Sequence, residues 1–354
     1  MNTTGKSPSR TRVPDTFLDY IPDPPFGEAA YKRGLADSYA ADEALVPPLY
    51  ALLKVTERCS SHCAYCAHAG NTSRTGEPEQ ADLENVLRQI AAAGATSVNL
   101  TGGEPLLRDD IFALSRYARN LGLFPILLTN GMRLRKRIKE LAQGNVGMVI
   151  VSIDSIYSDS YWKTRGSNLA YAMDGIDALL ELGDQCPTVT VTSVITRHNL
   201  HQIEETVAYF AERGIGVELT PYHHYGRWED DELTPRDAEE YASVIDTVKR
   251  LKDQDAGVIN SHAYLDNFAN FTFGNRAMPA SFACYSGFTT LYIDSTLNVR
   301  SCWSFGLPIA GNLREHHLQD LLTSARMKRM RKRIRKLQCE RCWLLCTAEI
   351  SLRW

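Results

Sequence analysis

Short apolar runs with a period of two alternate along this chain with longer runs whose apolar positions recur every three to four residues. The pattern predicts strands at 49–56, 96–101, 124–129, 147–154, 187–196 and 215–221. Between and after them it predicts helices at 80–94, 108–121, 133–143, 168–182, 201–213 and 235–252. Six strand–helix repeats imply a parallel sheet with right-handed crossovers. Closed or partly closed, such a sheet is a TIM-like (β/α)6 barrel, with its site at the C-terminal strand ends. Alternation places Lys54 and Thr56 on one face of the first strand and Ser97, Asn99 and Thr101 on one face of the second. It likewise groups Ser152 with Asp154, and Thr188 with Thr190 and Thr192. The opposite faces are largely Val, Leu and Ile, suited to packing under helices. A barrel closed only for stability is filled with branched aliphatics, so this polar lining predicts a binding cavity.

The flanks break the rhythm. Residues 1–14 are polar and basic, without the apolar core of a signal peptide, and read as a disordered arm. Residues 15–48 carry Pro22, Pro24, Pro25, Pro47 and Pro48 around a short helical pattern from Ala29 to Leu45, and read as a wrapping segment. That segment is too short for a winged-helix peptide-recognition module. A linker near Asp253 to Gly257 precedes a cysteine-bearing region. The expected divisions are therefore 1–47, 48–253 and 254–354.

Composition narrows the setting. A net charge of −3 over 354 residues gives no general reason to expect nucleic acid or a membrane surface as partner. No apolar run approaches the ~20 residues of a membrane-spanning helix. Of nine cysteines, eight fall in two groups, which points to the cytoplasm and to metal rather than to a secreted disulfide framework.

The first group, Cys59, Cys63 and Cys66, forms a CxxxCxxC loop directly after the first strand. Three thiolates suit one iron–sulfur cube and leave its fourth iron open to a cofactor. A zinc site, with His62 or His68 as fourth ligand, and three unrelated thiols are the alternatives. Thr101-Gly-Gly-Glu-Pro105 ends the second strand. A CxxxCxxC loop with Tyr65 before its last cysteine, followed by a GGEP strand end, resembles the radical S-adenosylmethionine (SAM) enzymes.

That resemblance implies a radical SAM core over roughly 48–225, with a [4Fe–4S] cluster on Cys59, Cys63 and Cys66 and the methionine part of SAM on its open iron. It implies that Gly102, Gly103 and Glu104 meet the SAM ammonium, that Asn130 lies near SAM, and that Ser152 and Asp154 reach the ribose. Arg165 resembles an arginine that pairs the SAM carboxylate, Tyr65 the aromatic beside adenine, and Thr192 with Ser193 a further contact. Each has a plainer alternative as turn, cap, surface or core residue. His223 and His224, after the sixth strand, are candidates for substrate contact or acid–base work, against the commoner structural histidine.

In the carboxy-terminal region Cys284 precedes a strand at Thr290–Ile293, Cys302 ends a hairpin-like stretch, and Cys339, Cys342 and Cys346 follow a helix. The arrangement resembles the Twitch domain, the shortened form of the SPASM domain. It implies a small cysteine-rich α+β unit with one auxiliary [4Fe–4S] cluster held by Cys284, Cys302, Cys339 and Cys342, leaving Cys346 and Cys186 spare. Leu297 stands where that hairpin usually has Gly. Which of Cys339, Cys342 and Cys346 serve is open, as is a zinc ribbon. Arg326 to Lys336 holds eight basic residues, with Met327, Met330, Ile334 and Leu337 at helical spacing, and reads as a buried stripe beside a solvated basic face. A redox partner such as flavodoxin or ferredoxin is the functional alternative for that face.

The resemblance implies an enzyme that reductively cleaves SAM to a 5′-deoxyadenosyl radical. The radical takes a hydrogen atom from a natural-product intermediate of aminocyclitol, sugar or nucleoside type, for oxidation, epimerisation or decarboxylation. In an epimerisation Cys346 is the candidate hydrogen-atom donor. Two other functions compete: maturation of a ribosomally made precursor peptide, and zinc-stabilised binding without catalysis.

Overall fold

The predicted alternation is realised. The computed structural model describes residues 14, 16–223, 232–303 and 307–354, so the arm before residue 14 and His224 lie outside the described residues. After α1 (Glu28–Ala41) come β1 (Tyr50–Thr56), α2 (Gln80–Ala92), β2 (Ser97–Gly102), α3 (Ile111–Asn120), β3 (Phe124–Thr129), α4 (Leu134–Ala142) and β4 (Met148–Ser152). Then follow α5 (Ser158–Arg165), α6 (Leu169–Leu180), β5 (Thr188–Ile195), α7 (Ile203–Ala211), β6 (Gly216–Pro221) and α8 (Ala238–Asp253). Short helices α9 (His262–Leu265) and α10 (Phe268–Phe273) lead to β7 (Thr290–Ile293), β8 (Asn298–Arg300), β9 (Gly311–Asn312), α11 (Leu318–Thr323) and α12 (Ala325–Arg335).

The strands form one sheet in the order β6-β5-β4-β3-β2-β1-β7-β8-β9. β1 to β6 run parallel, β6 does not close onto β1, and the barrel is partial. The edge of β1 is taken instead by β7, parallel to it from Tyr50↔Thr290 to Leu53↔Ile293, with β8 and β9 continuing antiparallel. The hairpin of the cysteine-bearing region thus continues the barrel's own sheet. At the other edge Asn260 mimics a strand, accepting from Leu219 N at 2.7 Å and donating to Leu219 O at 3.0 Å.

Two apolar layers sandwich the sheet. Leu53, Val55, Leu100, Leu127, Val149, Val151, Val191 and Val217 pack under the helices. On the inner face Tyr50, Leu52, Ile126, Met148, Ile150 and Tyr292 pack with Leu18 and Ile21 of the amino-terminal turn and Ile350 near the carboxyl end. The polar lining expected in the lumen is met in part: Ser97, Asn99, Thr190 and Glu218 are buried on inner strand faces, among the apolar side chains that Leu18 and Ile21 of the amino-terminal turn cover.

Local differences have local causes. The helix expected from 108 starts at Ile111, since Pro105–Leu107 forms a 3-10 turn capped by Glu104, whose side chain accepts from Leu106 N. Helix α5 was not predicted; its mixed composition carries little periodicity. Leu297 does take the left-handed conformation a glycine would favour (φ 67°) and is buried, while Asp294 Oδ1 accepts from Thr296 N at 3.1 Å and Asn298 N at 2.9 Å to hold the turn. On α12, Met327, Met330 and Ile334 are buried as the stripe predicts. Arg331 is also buried, donating to Gly287 O at 2.7 Å and Leu322 O at 2.8 Å, so it is not part of the solvated face.

Candidate active site

The three-cysteine loop is fastened from both sides. Cys59 N donates to Asn71 O (2.8 Å) and Gly70 N to Ser61 O (2.8 Å), closing the loop on itself. His62 N donates to Arg165 O (3.2 Å) and Ala64 N to Thr164 O (2.9 Å), docking it on the end of α5. Gly166 ends that helix at φ +54°, where a Cβ would lie 2.5 Å from His62 O. Cys59 and Cys63 are buried and Cys66 is exposed. Burial pushes the Cys63 thiol up to about 12 and raises Cys59 as well. Such thiols become thiolates only against a bound cation, and an all-thiol set on one loop fits iron–sulfur ligation.

The GGEP turn is braided into the root of this loop. Gly103 N donates to Thr56 O (2.9 Å) and Glu104 N to Arg58 O (2.7 Å). A Cβ on Gly102 would stand 2.3 Å from Thr56 O, and one on Gly103 2.2 Å from Arg58 O, so only glycine fits. Glu104, expected to meet an ammonium, is fully buried, and burial raises its pKa. Its carboxylate accepts from Leu106 N (2.9 Å), Thr129 Oγ1 (2.7 Å) and Asn130 N (2.8 Å), tying the ends of β2 and β3. Asn130 passes the order on, donating from Nδ2 to Ser61 Oγ in the cysteine loop at 2.7 Å.

Asp154 and Arg165 also differ from expectation. Arg165 binds Asp154 through two bonds, Nε–Oδ2 at 2.8 Å and Nη2–Oδ1 at 2.7 Å. Asp154 accepts further from Tyr65 Oη (2.7 Å) and Val194 N (2.9 Å) and is fully buried. With these donors in place the carboxylate is committed to the protein rather than to a ribose, and the guanidinium fork to Asp154 rather than to a free carboxylate. The same guanidinium lies 5.4 Å from the Tyr65 ring centre. Ser152 pairs with Thr192 in register and Thr192 with Glu218, which makes one lateral row at the barrel mouth. Glu218, 3% exposed, was not singled out from sequence, although a lone charge between Val217 and Leu219 on a strand is the signal that marks it. Burial and the nearby Glu349 push it up to about 8.

A further group, centred on the inner-face residue Lys54, joins the two cysteine regions. Lys54, nearly buried on β1, lies 2.9 Å from His68 Nε2, 3.3 Å from Glu57 Oε1 and 4.9 Å from the centre of the Trp303 ring. The His68 ring bonds Glu57 through Nδ1 at 2.5 Å, and its backbone N–H donates to Cys66 Sγ at 3.4 Å, while Trp303 directly follows Cys302.

His223 is a correction. It is buried, donates Nδ1–H to Pro221 O at 2.7 Å and accepts at Nε2 from Trp343 N at 2.7 Å. Burial lowers its pKa to about 3, so it stays neutral, with both ring nitrogens engaged, and is not placed for acid–base work.

Of the carboxy-terminal thiols, Cys302 packs with Cys284 and Cys339 against Leu307 and Ile334. Cys342 hydrogen-bonds Cys302, and that bond with burial raises its pKa well above normal. Cys346 packs instead against the inner apolar layer of Tyr50, Ile259 and Tyr292, though it feels the Cys302 charge; burial pushes it up to about 12. Among the described residues no three His, Cys, Asp or Glu side chains converge as around a single ion. A cluster instead distributes its thiolates over several irons.

A partial βα barrel with a three-thiol loop on its first strand, a GGEP turn on its second and a cysteine cluster continuing its sheet defines a class of iron–sulfur enzyme that uses SAM. The chain belongs to the radical SAM superfamily: that family's model matches residues 53–210, and an iron–sulfur cluster-binding SPASM domain matches 284–343. Its cofactors are SAM and [4Fe–4S] clusters, which removes the zinc readings. A probable GTP 3′,8-cyclase of Methanothermobacter thermautotrophicus is 30% identical over 238 residues, 62% of this chain and 77% of that protein. A PqqA peptide cyclase of Bradyrhizobium diazoefficiens is 30% identical over 182 residues, 51% of this chain and 48% of that protein. Streptococcus suis SuiB bound to S-adenosylmethionine superposes with a TM-score of 0.65 at 18% identity, covering 84% of this chain and 70% of that one, a likeness of fold. Among the described residues no helix is long and apolar enough to cross a membrane.

Proposed function

We propose that this enzyme abstracts a hydrogen atom from a small, polar natural-product intermediate of aminocyclitol, sugar or nucleoside type, at the mouth of the barrel. Cys59, Cys63 and Cys66 would hold the SAM-binding cluster, and Cys284, Cys302, Cys339 and Cys342 an auxiliary one. Gly102, Gly103, Asn130, Ser152, Thr192 and Tyr65 would line the SAM site, with Glu104, Asp154 and Arg165 ordering it from behind; Nη1 of Arg165 is the guanidinium nitrogen not used on Asp154. When bound, cluster and SAM supply a carbon radical by one-electron reduction. The chain's part is to hold the reacting carbon and exclude water.

The observation that carries the reading is the place of Cys346. Its thiol packs on the inner-face layer that holds Tyr50 and Tyr292, with Cys302 near enough to act on it, a position suited to returning a hydrogen atom to a substrate carbon. This favours epimerisation over oxidation or decarboxylation. Cys346→Ala is expected to keep both clusters and lose solvent-deuterium incorporation into product; loss of iron instead makes Cys346 a ligand and refutes the donor role. The basic face of α12, ending just before Cys339, suits an acidic electron donor such as flavodoxin or ferredoxin in the cytoplasm.

A second reading, maturation of a precursor peptide, is favoured by the 30% identity to a PqqA peptide cyclase. Radical SAM turnover on a short peptide encoded beside this gene, with none on small polar molecules, would establish it. Either way we assign 48–253 to the core and 254–354 to the auxiliary-cluster region.

A further inference from the structure

One buried ammonium stands where the two cysteine regions meet. The Nζ of Lys54 is 2.9 Å from His68 Nε2, 3.3 Å from Glu57 Oε1 and 4.9 Å from the centre of the Trp303 ring. Each of these neighbours flanks a thiol. His68 follows Cys66 by two residues, Glu57 precedes Cys59 by two, and Trp303 follows Cys302 directly. The backbone N–H of His68 also donates to Cys66 Sγ at 3.4 Å. Glu57 is bound in turn by His68 Nδ1 at 2.5 Å and by Ser295 Oγ. Ser295 lies in the turn between β7 and β8, and Tyr292 on β7 meets the Trp303 ring edge-on at 4.8 Å. The carboxy-terminal hairpin thus holds the Lys54–Glu57 pair in place beside the three-cysteine loop.

Stability alone is a weak reason for such a pair. A buried ion pair gains little over well-packed apolar side chains of the same volume, because both charges must leave water. Its position among residues that flank thiols gives it a different use. The reduction potential of an iron–sulfur cluster responds to net charge, to hydrogen bonds on its sulfurs and to the groups around its ligands. Reduction adds negative charge, so a fixed cation nearby favours the reduced form and a fixed anion opposes it. Burial lowers the Lys54 pKa, while Glu57, Asp294 and Cys66 act against that shift, so the Cys66 thiol and the ammonium feel each other.

We propose that Lys54 and Glu57 set the reduction potential of the SAM-binding cluster, with Lys54 easing entry of the electron and Glu57 opposing it. This rests on the assignment of Cys59, Cys63 and Cys66 to that cluster, and it adds the charges that govern how readily the cluster is reduced.

The test is a potentiometric titration of the anaerobically reconstituted full chain, read by the electron paramagnetic resonance signal that SAM alters. At the wild-type midpoint the ratio of reduced to oxidised cluster is expected to fall at least about threefold in Lys54→Met and to rise at least about threefold in Glu57→Gln. Lys54→Arg keeps the charge and is expected to stay within about twofold of wild type. Loss of packing alone would move Lys54→Met and Glu57→Gln in the same direction. Iron content and circular dichroism establish that each variant is folded and loaded; if Lys54→Met is not, Glu57→Gln alone decides. Unchanged ratios, shifts of the same sign, or a fall in Lys54→Arg equal to that in Lys54→Met overturns the proposal. In Cys63→Ala the SAM-sensitive signal is expected to vanish. Its survival there refutes the assignment of the cluster, separately from the role of the two charges.

Discussion

Trp343 N donates a 2.7 Å hydrogen bond to His223 Nε2, so the residue just past β6 is fastened to the residue just past Cys342. Trp343 is fully buried and its other polar groups are engaged too: its carbonyl accepts from Tyr264 Oη at 2.7 Å and its indole N–H reaches Tyr264 O at 2.8 Å. The CxxC loop of the carboxy-terminal cysteines is thereby held in fixed relation to the barrel mouth.

Breaking that contact is a stability experiment. His223→Ala leaves the Trp343 amide buried without an acceptor and removes a ring packed 4.6 Å from Phe271. A loss of about 2–4 kcal/mol is expected in urea denaturation. Cleavage of SAM by the folded variant should stay within a few-fold of wild type; a loss of several orders of magnitude would restore His223 as a catalytic group.

Arg165→Ala should be more damaging. It strands the Asp154 carboxylate in the interior with only Tyr65 and Val194 as donors, for an expected cost of about 3–5 kcal/mol. Arg165→Lys keeps the charge but not the fork, and should recover only part of this. Chemical denaturation of both variants, with SAM affinity by calorimetry, measures the split between stability and binding.

The acidity of Glu218 has a direction in pH. Its folded pKa is raised to about 8 from an ordinary value of 4.5, so the fold favours its protonated form. That contribution is full below pH 4.5 and is lost as pH rises through about 8, with a slope of at most about 1.4 kcal/mol per pH unit. Glu218→Gln should flatten the decline of stability between pH 5 and 8 and raise the midpoint of thermal unfolding at pH 8. An unchanged slope in the variant counts against a buried, proton-holding Glu218.

Iron counting separates the two cysteine groups. Two four-iron clusters give about eight irons per chain, and Cys63→Ala or Cys302→Ala should each leave about four. Only Cys63→Ala should abolish formation of 5′-deoxyadenosine. Cleavage surviving in Cys63→Ala would remove the basis of the SAM site.

The sequence by itself determined what is local. The two hydrophobic periods placed all six barrel strands within a few residues, and the spacing of Cys59, Cys63 and Cys66 with the GGEP turn marked the chemistry, because each signal is written within one turn or one strand. Tertiary structure decided which polar groups are free. Asp154, Arg165, Glu104 and His223 looked available in the chain and are occupied in the fold, while Glu218 gave little sign and stands inside the barrel. Those outcomes depend on strand register and on contacts such as His223 with Trp343, 120 residues apart, which no local pattern encodes. For the same reason the hairpin after residue 290 read as part of a separate unit, whereas the open edge of β1, which exists only once the sheet has formed, takes it as its next strand.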